Sequence, residues 1–325
     1  MKILVVCRWH GTHAAAFIME QVEALQELGH EVHYCAARQG GAKGYITLLR
    51  EIRKARKTWH PDVIHAHYGI CGLIACLAAG KTPVVTTYPG SDINVPSIRK
   101  ISRLCMRMSA YNLFMSKRQI AKVQDLALPE KTAILRYGIM LDLFQPIDKR
   151  EARRLFRAAK PEEATWSDTD KLVLFSSKFT RPEKNAPLAQ EAVKQLQSVA
   201  GYESCQLLPL TGGYTKEEMV WLMNAVDAAI VTSTMEGSPQ FTKEVMACGT
   251  PIVSVDVGDV AEQVEGLDGC YIATSYDSSE LASLLRQAIS HGKTSGHQHI
   301  VNMCLSNELV AEKLMEIYKG VRKHA

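Results

Sequence analysis

The chain has few features of a membrane-spanning, disulfide-bonded or dehydrogenase-like protein. No apolar run approaches the roughly 20 residues that a membrane-spanning helix needs. The nine cysteines include no C-x-x-C pair, which fits a reduced cytoplasmic protein better than a disulfide framework. No G-x-G-x-x-G follows a strand-like run, and this argues against a nicotinamide oxidoreductase. The net charge of +4 is too small to indicate nucleic acid binding.

The N-terminus reads as a strand and not as a targeting segment. The apolar run at residues 1–7 has the length of a strand, and no small-residue cleavage site follows it. We therefore expect no signal peptide and a cytoplasmic location.

Strand-length apolar runs alternate with helical patterns along the whole chain. This alternation predicts βαβ units, and hence an α/β fold of two doubly wound, Rossmann-like domains that face each other across a cleft. The predicted strands are 2–7, 31–36, 62–67, 83–88, 111–116, 132–136, 171–177, 205–210, 227–233, 250–256 and 269–273.

The pattern divides into two series of strands with a boundary after residue 145. We expect a first domain over 1–145, a second over 146–306, and a last helix over 307–325 that could cross back to the first domain. Doubly wound sheets bind ligands outside the carboxyl ends of their strands. The expected site is therefore the cleft between the domains.

Two glutamates eight positions apart, Glu236 and Glu244, are the most informative feature of the chain. We predict a helix over 239–248, with Glu236 on the loop before it and Glu244 about two turns inside it. Free N–H groups at the start of this helix would attract an anion. Carboxylates on either side suit a ligand with hydroxyls at both ends and phosphates in the middle, such as a nucleotide sugar. The alternative is a pair of solvated surface charges.

Two lysines follow the first strand of the second domain. Lys178 comes directly after the run at 171–177, and Lys184 lies six positions later. Two ammonium groups directed at one diphosphate would neutralise its charge and stabilise it as a leaving group. The alternative is that both are ordinary surface lysines.

Together these motifs resemble a known enzyme family. The stretch SSKFTRPEKN followed by EGSPQFTKEVMACGTPIVS resembles the retaining glycosyltransferases of the GT-B fold, the "glycosyl transferases group 1" family. IHAHYG, GSDIN and SVDVGDVAE extend the similarity over nearly the whole chain, and more narrowly they resemble bacterial members that build surface polysaccharides.

The resemblance implies a role for each matching residue. Lys178 and Lys184 would hold the donor pyrophosphate, Glu244 the ribose hydroxyls, and Glu236 the transferred sugar. It also implies that no metal ion is needed, because lysines and helix starts take the charge. Further donor contacts would come from Gly237, Ser238 and Gln240 in the second domain and from Gly11 and Thr12 in the first.

The first domain departs from the family pattern at polar positions. Pro89, with Tyr88 beside it, stands where the family places a histidine that contacts the donor sugar. The usual Pro-Asn-Gly-Val-Asp is replaced by residues 136–140, Arg-Tyr-Gly-Ile-Met. Asp92 and His67 remain as candidate polar groups near the reacting centre.

The function implied is metal-independent, retaining transfer of a hexose to a glycan or lipid-linked acceptor in polysaccharide biosynthesis. The donor is a nucleotide-diphosphate sugar, a UDP-sugar in preference to a GDP-sugar, and no resident cofactor is expected. The altered residues Pro89, Tyr137 and Met140 keep a second hypothesis open, a non-catalytic sugar-nucleotide-binding protein or partner subunit. A third is a sugar-nucleotide epimerase on the same fold.

Basic residues cluster in two helical segments. One is at 50–57, and the other, at 95–109, interleaves arginine and lysine with apolar residues. The second segment resembles a short amphipathic helix that could lie on anionic lipid at the inner face of the membrane. The alternative is a solvated basic face of a surface helix.

Overall fold

The computed structural model describes residues 1–9, 11–126 and 128–323, which form two compact units. The first unit contains Met1–Gly138 and the chain from Ser306 onward, and the second contains Ile139–Leu305. The division falls earlier than the expected boundary after residue 145, because Ile139 and Phe144 are buried in the core of the second unit. Residues 324 and 325 of the predicted last segment lie outside the described residues.

The first unit is built on a sheet of six parallel strands. They are β1 (Lys2–Arg8), β2 (Glu31–Ala37), β3 (Val63–His67), β4 (Val84–Tyr88), β5 (Tyr111–Phe114) and β6 (Thr132–Ile134). The order is β2-β1-β3-β4-β5-β6, so the direction of winding reverses at β1. The loops that leave β1 and β3 therefore meet at the carboxyl edge, at the topological switch point.

Helices cover the faces of this sheet. They are α1 (Ala16–Glu27), α2 (Gly41–Trp59), α3 (Gly69–Ala78), α4 (Ser91–Asn94), α5 (Pro96–Met108) and α6 (Lys117–Ala121). Helix α1 buries Ile18, Val22 and Leu25, whose spacing of three to four residues places them on one helical face. Helix α5 begins at Pro96, a position where the missing N–H of proline costs no hydrogen bond.

The second unit has a five-stranded parallel sheet. Its strands are β7 (Leu172–Phe175), β8 (Gln206–Pro209), β9 (Ala228–Val231), β10 (Ile252–Val255) and β11 (Tyr271–Ala273). The order β11-β10-β9-β7-β8 places β7 between β8 and β9. The winding reverses at β7, so the loops after β7 and β9 meet at the switch point of this sheet.

The helices of the second unit are α7 (Lys149–Ala159), α8 (Ala186–Gln197), α9 (Lys216–Ala225), α10 (Gln240–Ala247), α11 (Val260–Val264), α12 (Ser278–His291) and α13 (Gly296–Asn302). Every strand expected from the sequence is present; β1 and β2 are one residue longer than expected, and the others are shorter. Helix α7 was not anticipated, since the sequence analysis assigned no element to residues 149–159.

The last helix, α14 (Asn307–Lys323), belongs to the first unit and packs against α1. Its buried residues include Ala311, Leu314 and Tyr318, which join Ile18 and Leu25 in one apolar core. The first unit is therefore completed by residues from both ends of the chain. Among the residues that the structure describes, no helix is long and apolar enough to cross a membrane.

Candidate active site

The two predicted lysines lie at the switch point of the second sheet, on the loop that leaves β7. Lys178 is exposed, and its side chain reaches the loop after β8, where it lies 3.9 Å from the position a Cβ on Gly212 would occupy. Lys184 ends a 3₁₀ turn over Pro182–Lys184, two residues before the first residue of α8. Both lysines nevertheless lie on the loop that follows the carboxyl end of β7.

The loops after β7 and β9 are tied together by hydrogen bonds. The Thr232 hydroxyl oxygen lies 2.9 Å from the carbonyl oxygens of both Lys184 and Asn185. The Lys184 ammonium donates to Glu236 Oε1 at 2.5 Å, and the two side chains are only 12% and 13% exposed. The predicted phosphate ligand and the predicted sugar ligand are thus brought together as one partly buried ion pair.

The loop that carries Glu236 depends on a glycine in the next loop of the sheet. A Cβ on Gly258, whose φ is +59°, would lie 2.9 Å from Glu236 Cβ and 2.9 Å from the Gly237 carbonyl oxygen. Only glycine allows this approach without displacing the Glu236 backbone. Ser238 is held in turn by Gln263, whose amide nitrogen donates to its hydroxyl oxygen at 3.1 Å.

Helix α10 starts directly after this loop and supplies the second glutamate. The helix begins at Gln240, with Pro239 as its N-cap, and Gly249 follows it with a φ of +70°. Glu244 is the fifth residue of the helix, so it lies just over one turn from the start and not two turns as expected. The free N–H groups at this start face the carboxyl edge, where they can bind an anion.

Glu244 has a cationic partner that the sequence analysis missed. Its carboxylate is buried, 5% exposed, and lies 3.5 Å from the ammonium of Lys216 at the start of α9. The capping box formed by Thr215 and Glu218 fixes this helix start on the loop after β8. The sequence signal was available, because Thr-Lys-Glu-Glu after a strand is typical of a helix start at the carboxyl edge.

The second unit therefore presents two carboxylate–lysine pairs around the start of α10. Each lysine ammonium is paired with a carboxylate, and each could instead contact a bound diphosphate. No group of three or more histidine, cysteine, aspartate or glutamate side chains that could hold a metal ion occurs in residues 1–9, 11–126 and 128–323.

The first unit has a pocket of about 270 Å³ at its own switch point, which the predicted residue Asp92 lines. Its wall includes Arg8 from the end of β1, Tyr68 from the loop after β3, Gly69 from the start of α3, and Asp92 from α4. Asp92 is 2% exposed, and its carboxylate accepts from the Gly90 and Gly69 N–H groups at 2.9 and 3.3 Å. Burial raises the pKa of Asp92 to about 7, so protonated and ionised forms coexist near neutral pH.

Gly11 and Thr12 lie in the first unit, in an exposed turn after β1. The following helix begins only at Ala16. These residues therefore follow the strand, as expected, and lie four to five positions before the helix start. The φ of +73° at Gly11 shows why glycine is suited to this turn.

The histidine candidate of the first unit is buried, which corrects the expectation that it lines the site. His67 has no exposed surface, and its Nδ1 lies 2.7 Å from the Tyr137 hydroxyl. His65 is held on both sides, by the hydroxyls of Tyr318 and Thr87, each at 2.7 Å. Burial lowers the pKa of both histidines, that of His65 to about 3, so both rings are neutral near pH 7.

Two tyrosines at the positions that depart from the family pattern are buried in the first unit. Tyr88 is fully buried, and its hydroxyl donates to Asn112 Oδ1 at 3.0 Å. Tyr137 is buried against His67 and Phe17, with ring centroids 5.9 and 4.4 Å apart. Pro89 is partly exposed.

Both halves of the chain match known protein families. The family described as "Glycosyl transferases group 1" matches residues 170–291, and "Glycosyl transferase 4-like" matches residues 10–124. The Bacillus anthracis N-acetyl-alpha-D-glucosaminyl L-malate synthase is 24% identical over 73% of this chain and 68% of that protein. The D-inositol 3-phosphate glycosyltransferase of Mycobacterium marinum is 24% identical over 67% of this chain, but the match spans only 54% of that protein.

Solved structures share the fold over nearly the full length. Sucrose-phosphate synthase from Thermosynechococcus elongatus superposes with a TM-score of 0.80 at 13% identity, covering 100% of this chain and 99% of that one. Anabaena Alr3699/HepE, in complex with UDP and glucose, gives 0.75 at 16% identity, covering 98% and 100%. The predicted fold, two Rossmann-like domains of the GT-B type, and the predicted enzyme class are confirmed. By these matches the chain is a glycosyltransferase, and its second half matches the group 1 family.

Proposed function

We propose that this chain transfers a hexose from a nucleotide-diphosphate sugar, with retention of configuration and without a metal ion. The observation that carries the proposal is the Lys184–Glu236 ion pair, held at the switch point beside the start of α10. A diphosphate that enters between this helix start and the loop after β7 would meet Lys184, Lys178 and free backbone N–H groups. These groups stabilise the negative charge that develops as the sugar–phosphate bond breaks.

The remaining donor contacts follow from the same arrangement. Lys184 would exchange Glu236 for the diphosphate, which frees the Glu236 carboxylate to accept hydrogen bonds from sugar hydroxyls. Glu244, one turn into α10, would accept from the ribose hydroxyls. Gly237, Ser238 and Gln240 would offer backbone N–H groups between these two carboxylates. Uridine is the base favoured, since Alr3699/HepE, which shares the fold, has been solved with UDP and with UDP-glucose.

The acceptor is assigned to the Asp92 pocket of the first unit. An acceptor hydroxyl there could donate to an Asp92 carboxylate that titrates near neutral pH. A glycan or lipid-linked acceptor in polysaccharide biosynthesis remains the first candidate. Arg8 in the pocket wall favours a second candidate, a small anionic acceptor, and the names of two relatives refer to L-malate and D-inositol 3-phosphate.

A ligand screen tests the donor assignment. The melting temperature of the whole chain is measured with UDP, GDP, ADP and their common sugars, with and without Mg²⁺. A ligand that binds only the folded state must raise it. We expect a shift with UDP and UDP-sugars that does not need Mg²⁺. If none of the nucleotides raised the melting temperature, the proposal would be refuted.

Product analysis separates transfer from the alternatives. Transfer releases nucleoside diphosphate only when a competent acceptor is present, and the new glycosidic bond keeps the donor configuration. Donor binding without turnover on glycan, lipid-linked or small anionic acceptors would support a non-catalytic binding protein. Release of a new sugar nucleotide without an acceptor would support an epimerase.

Replacing Glu244 by glutamine is expected to weaken UDP binding about 10- to 100-fold, because a hydrogen bond to a charged group contributes about 1.5–3 kcal/mol. The amide keeps the size of the side chain and the packing of α10. Isothermal titration with UDP measures the change. Glu191→Gln is the matched control, since Glu191 lies on the same unit in an exposed pair with Lys194. Equal affinity of Glu244→Gln and the unaltered chain would exclude Glu244 from the ribose site.

Contact with an anionic membrane is proposed through an exposed stripe of α5. Ile101, Leu104 and Met108, spaced by three and four residues, are 39%, 48% and 43% exposed, and Lys100 and Arg107 flank them. Arg103, which the sequence analysis counted in the basic face, is paired with Asp125. Apolar side chains beside free cations suit the boundary between headgroups and acyl chains.

Charge removal on this stripe is expected to weaken vesicle binding. Each basic residue near an anionic surface contributes roughly 1 kcal/mol, so the double variant Lys100→Ala, Arg107→Ala should bind about 30-fold more weakly. Co-sedimentation with vesicles containing phosphatidylserine measures this. Lys54→Ala, Lys57→Ala on α2 is the control of equal charge change. Equal binding of both double variants would rule out the α5 stripe as the contact surface.

A further inference from the structure

Helices α3 and α5 of the first unit approach each other unusually closely. A Cβ on Gly69 would lie 2.1 Å from Ser102 Oγ, and a Cβ on Gly72 would lie 2.5 Å from Cys105 Sγ. The two glycines therefore remove the side chains that normally separate packed helices. Cys76, one helical turn beyond Gly72, continues the same face of α3.

This close approach places two cysteine sulfurs beside the same serine side chain. Cys76 Sγ and Cys105 Sγ lie 3.7 and 3.5 Å from one atom, the hydroxyl oxygen of Ser109. A disulfide needs Cα atoms about 4.4–6.8 Å apart, a separation that ordinary helix packing does not provide. The glycines bring α3 and α5 closer together than side chains at those two positions would allow.

The surroundings of Cys105 stabilise a thiolate despite its burial. The Tyr88 hydroxyl oxygen lies 3.4 Å from the Cys105 sulfur and 3.0 Å from Asn112 Oδ1, so the two share its one proton, and the hydroxyl oxygens of Ser109 and Thr86 lie 3.5 and 3.6 Å from the sulfur. Hydrogen bonding with the Cys76 thiol, followed by that with these hydroxyls, lowers the pKa of Cys105 in spite of desolvation and raises the pKa of Cys76. The buried thiol of Cys71 has no such set of donors, and burial raises its pKa to about 12.

An opening leads to this pair from the opposite edge of the sheet. Cys76 is partly exposed and lines a pocket of about 770 Å³, together with residues at the amino ends of β4 and β5. Lys81 and Glu130 lie in the same wall, so water and small polar molecules can enter. The Asp92 pocket lies at the carboxyl edge, and the two openings are therefore separate.

We propose that Cys76 and Cys105 form a redox-active pair that a small hydroperoxide converts into a disulfide between α3 and α5. The accessible Cys76 sulfur attacks the peroxide, the O–O bond breaks, and the Cys76 thiol proton joins the departing hydroxide. With hydrogen peroxide this step yields Cys76 sulfenic acid and one water. Cys105 sulfur then displaces hydroxide from the sulfenic acid, which leaves as a second water, and two thiols have been oxidised by one peroxide.

The two helices that the disulfide would join also contact the turn that lines the candidate acceptor pocket. The Gly69 N–H at the start of α3 donates to the Asp92 carboxylate, and the Ser102 hydroxyl on α5 donates to the Asp92 carbonyl oxygen. Both helices that the disulfide joins thus hold the Asp92 turn. Oxidation of the pair would fix the relative position of these two supports.

Peptide mapping of the whole chain tests the proposal. The reduced protein is exposed to a small excess of hydrogen peroxide, denatured with an alkylating reagent and digested. We expect one cross-linked species that joins the Cys76 and Cys105 peptides, lighter by two hydrogen atoms and reversed by dithiothreitol. The more deeply buried Cys7 and Cys35, whose pKa burial raises to about 12, should remain alkylated as internal controls.

Two variants check the order of events. In Cys105→Ser, Cys76 should accumulate as a sulfenic acid that dimedone traps, because the resolving sulfur is missing. In Cys304→Ser, which alters a thiol of the second unit, the bridge should form as in the unaltered chain. Alkylation of both Cys76 and Cys105 after peroxide, or a bridge between other cysteines, would overturn the proposal. This result would leave the proposed transferase activity unaffected.

Discussion

Replacing Lys184 by alanine is expected to lower kcat/KM for glycosyl transfer by about 100- to 1000-fold, the loss typical of one removed charge-stabilising donor. Lys184 is the cation held between the loops after β7 and β9, 12% exposed and 2.5 Å from Glu236. In a site this shielded from water, its attraction to the departing diphosphate is screened less than on the surface. Because this charge develops as the bond breaks, kcat should fall more than KM rises.

Steady-state assays of nucleoside diphosphate release, with and without acceptor, measure this effect. Lys194→Ala is the matched control, because Lys194 is 77% exposed and also pairs with a glutamate of the same unit. Its kcat/KM should stay close to that of the unaltered chain. Circular dichroism and the melting temperature show whether Lys184→Ala remains folded. A folded variant with full activity would show that Lys184 carries no part of the leaving-group stabilisation.

The strand pattern could be predicted because parallel strands are buried on both faces and read as continuous apolar runs. The ends of β7 and β9 followed from the same pattern, and they located Lys184 and Glu236 on loops. Their pairing could not be predicted, since it depends on β9 lying beside β7 on the side away from β8. Strand order is set by packing between distant segments, which a local pattern does not record.

The contacts that could not be predicted are mainly those of side chains buried against residues far along the chain. His67 alternates along β3 like a site residue, but the Tyr137 hydroxyl, far along the chain, satisfies it in the core. Lys216 reads as a surface lysine until its contact with Glu244 is known. A charged residue shows its burial only through its partners, and these are supplied by the fold.

Helix α7 is the clearest case of this kind and leads to the largest expected loss of stability. Its sequence, KREARRLFRAA, is so rich in arginine that it gives little sign of a buried face. Yet Arg153 is only 2% exposed, and its guanidinium donates to the carbonyl oxygens of Ala225, Asp168 and Asp170 at 3.0, 2.6 and 2.9 Å. It also lies 3.2 Å from the buried carboxylate of Asp227. One side chain thus joins α7 to the loop before β7 and to the start of β9.

Replacing Arg153 by methionine is expected to lower the free energy of unfolding of the second unit by about 3–5 kcal/mol, the cost of breaking a buried ion pair from one side. Methionine fills much of the volume, but the three carbonyl oxygens lose their donor and Asp227 loses a buried cation. Urea unfolding followed by circular dichroism measures the change. Arg154→Met is the control one position away, since Arg154 is 66% exposed in a pair with Glu151, and little change is expected. Similar unfolding midpoints for both variants would mean that the Arg153 contacts contribute no more than an exposed ion pair, and that apolar packing alone holds α7 in place.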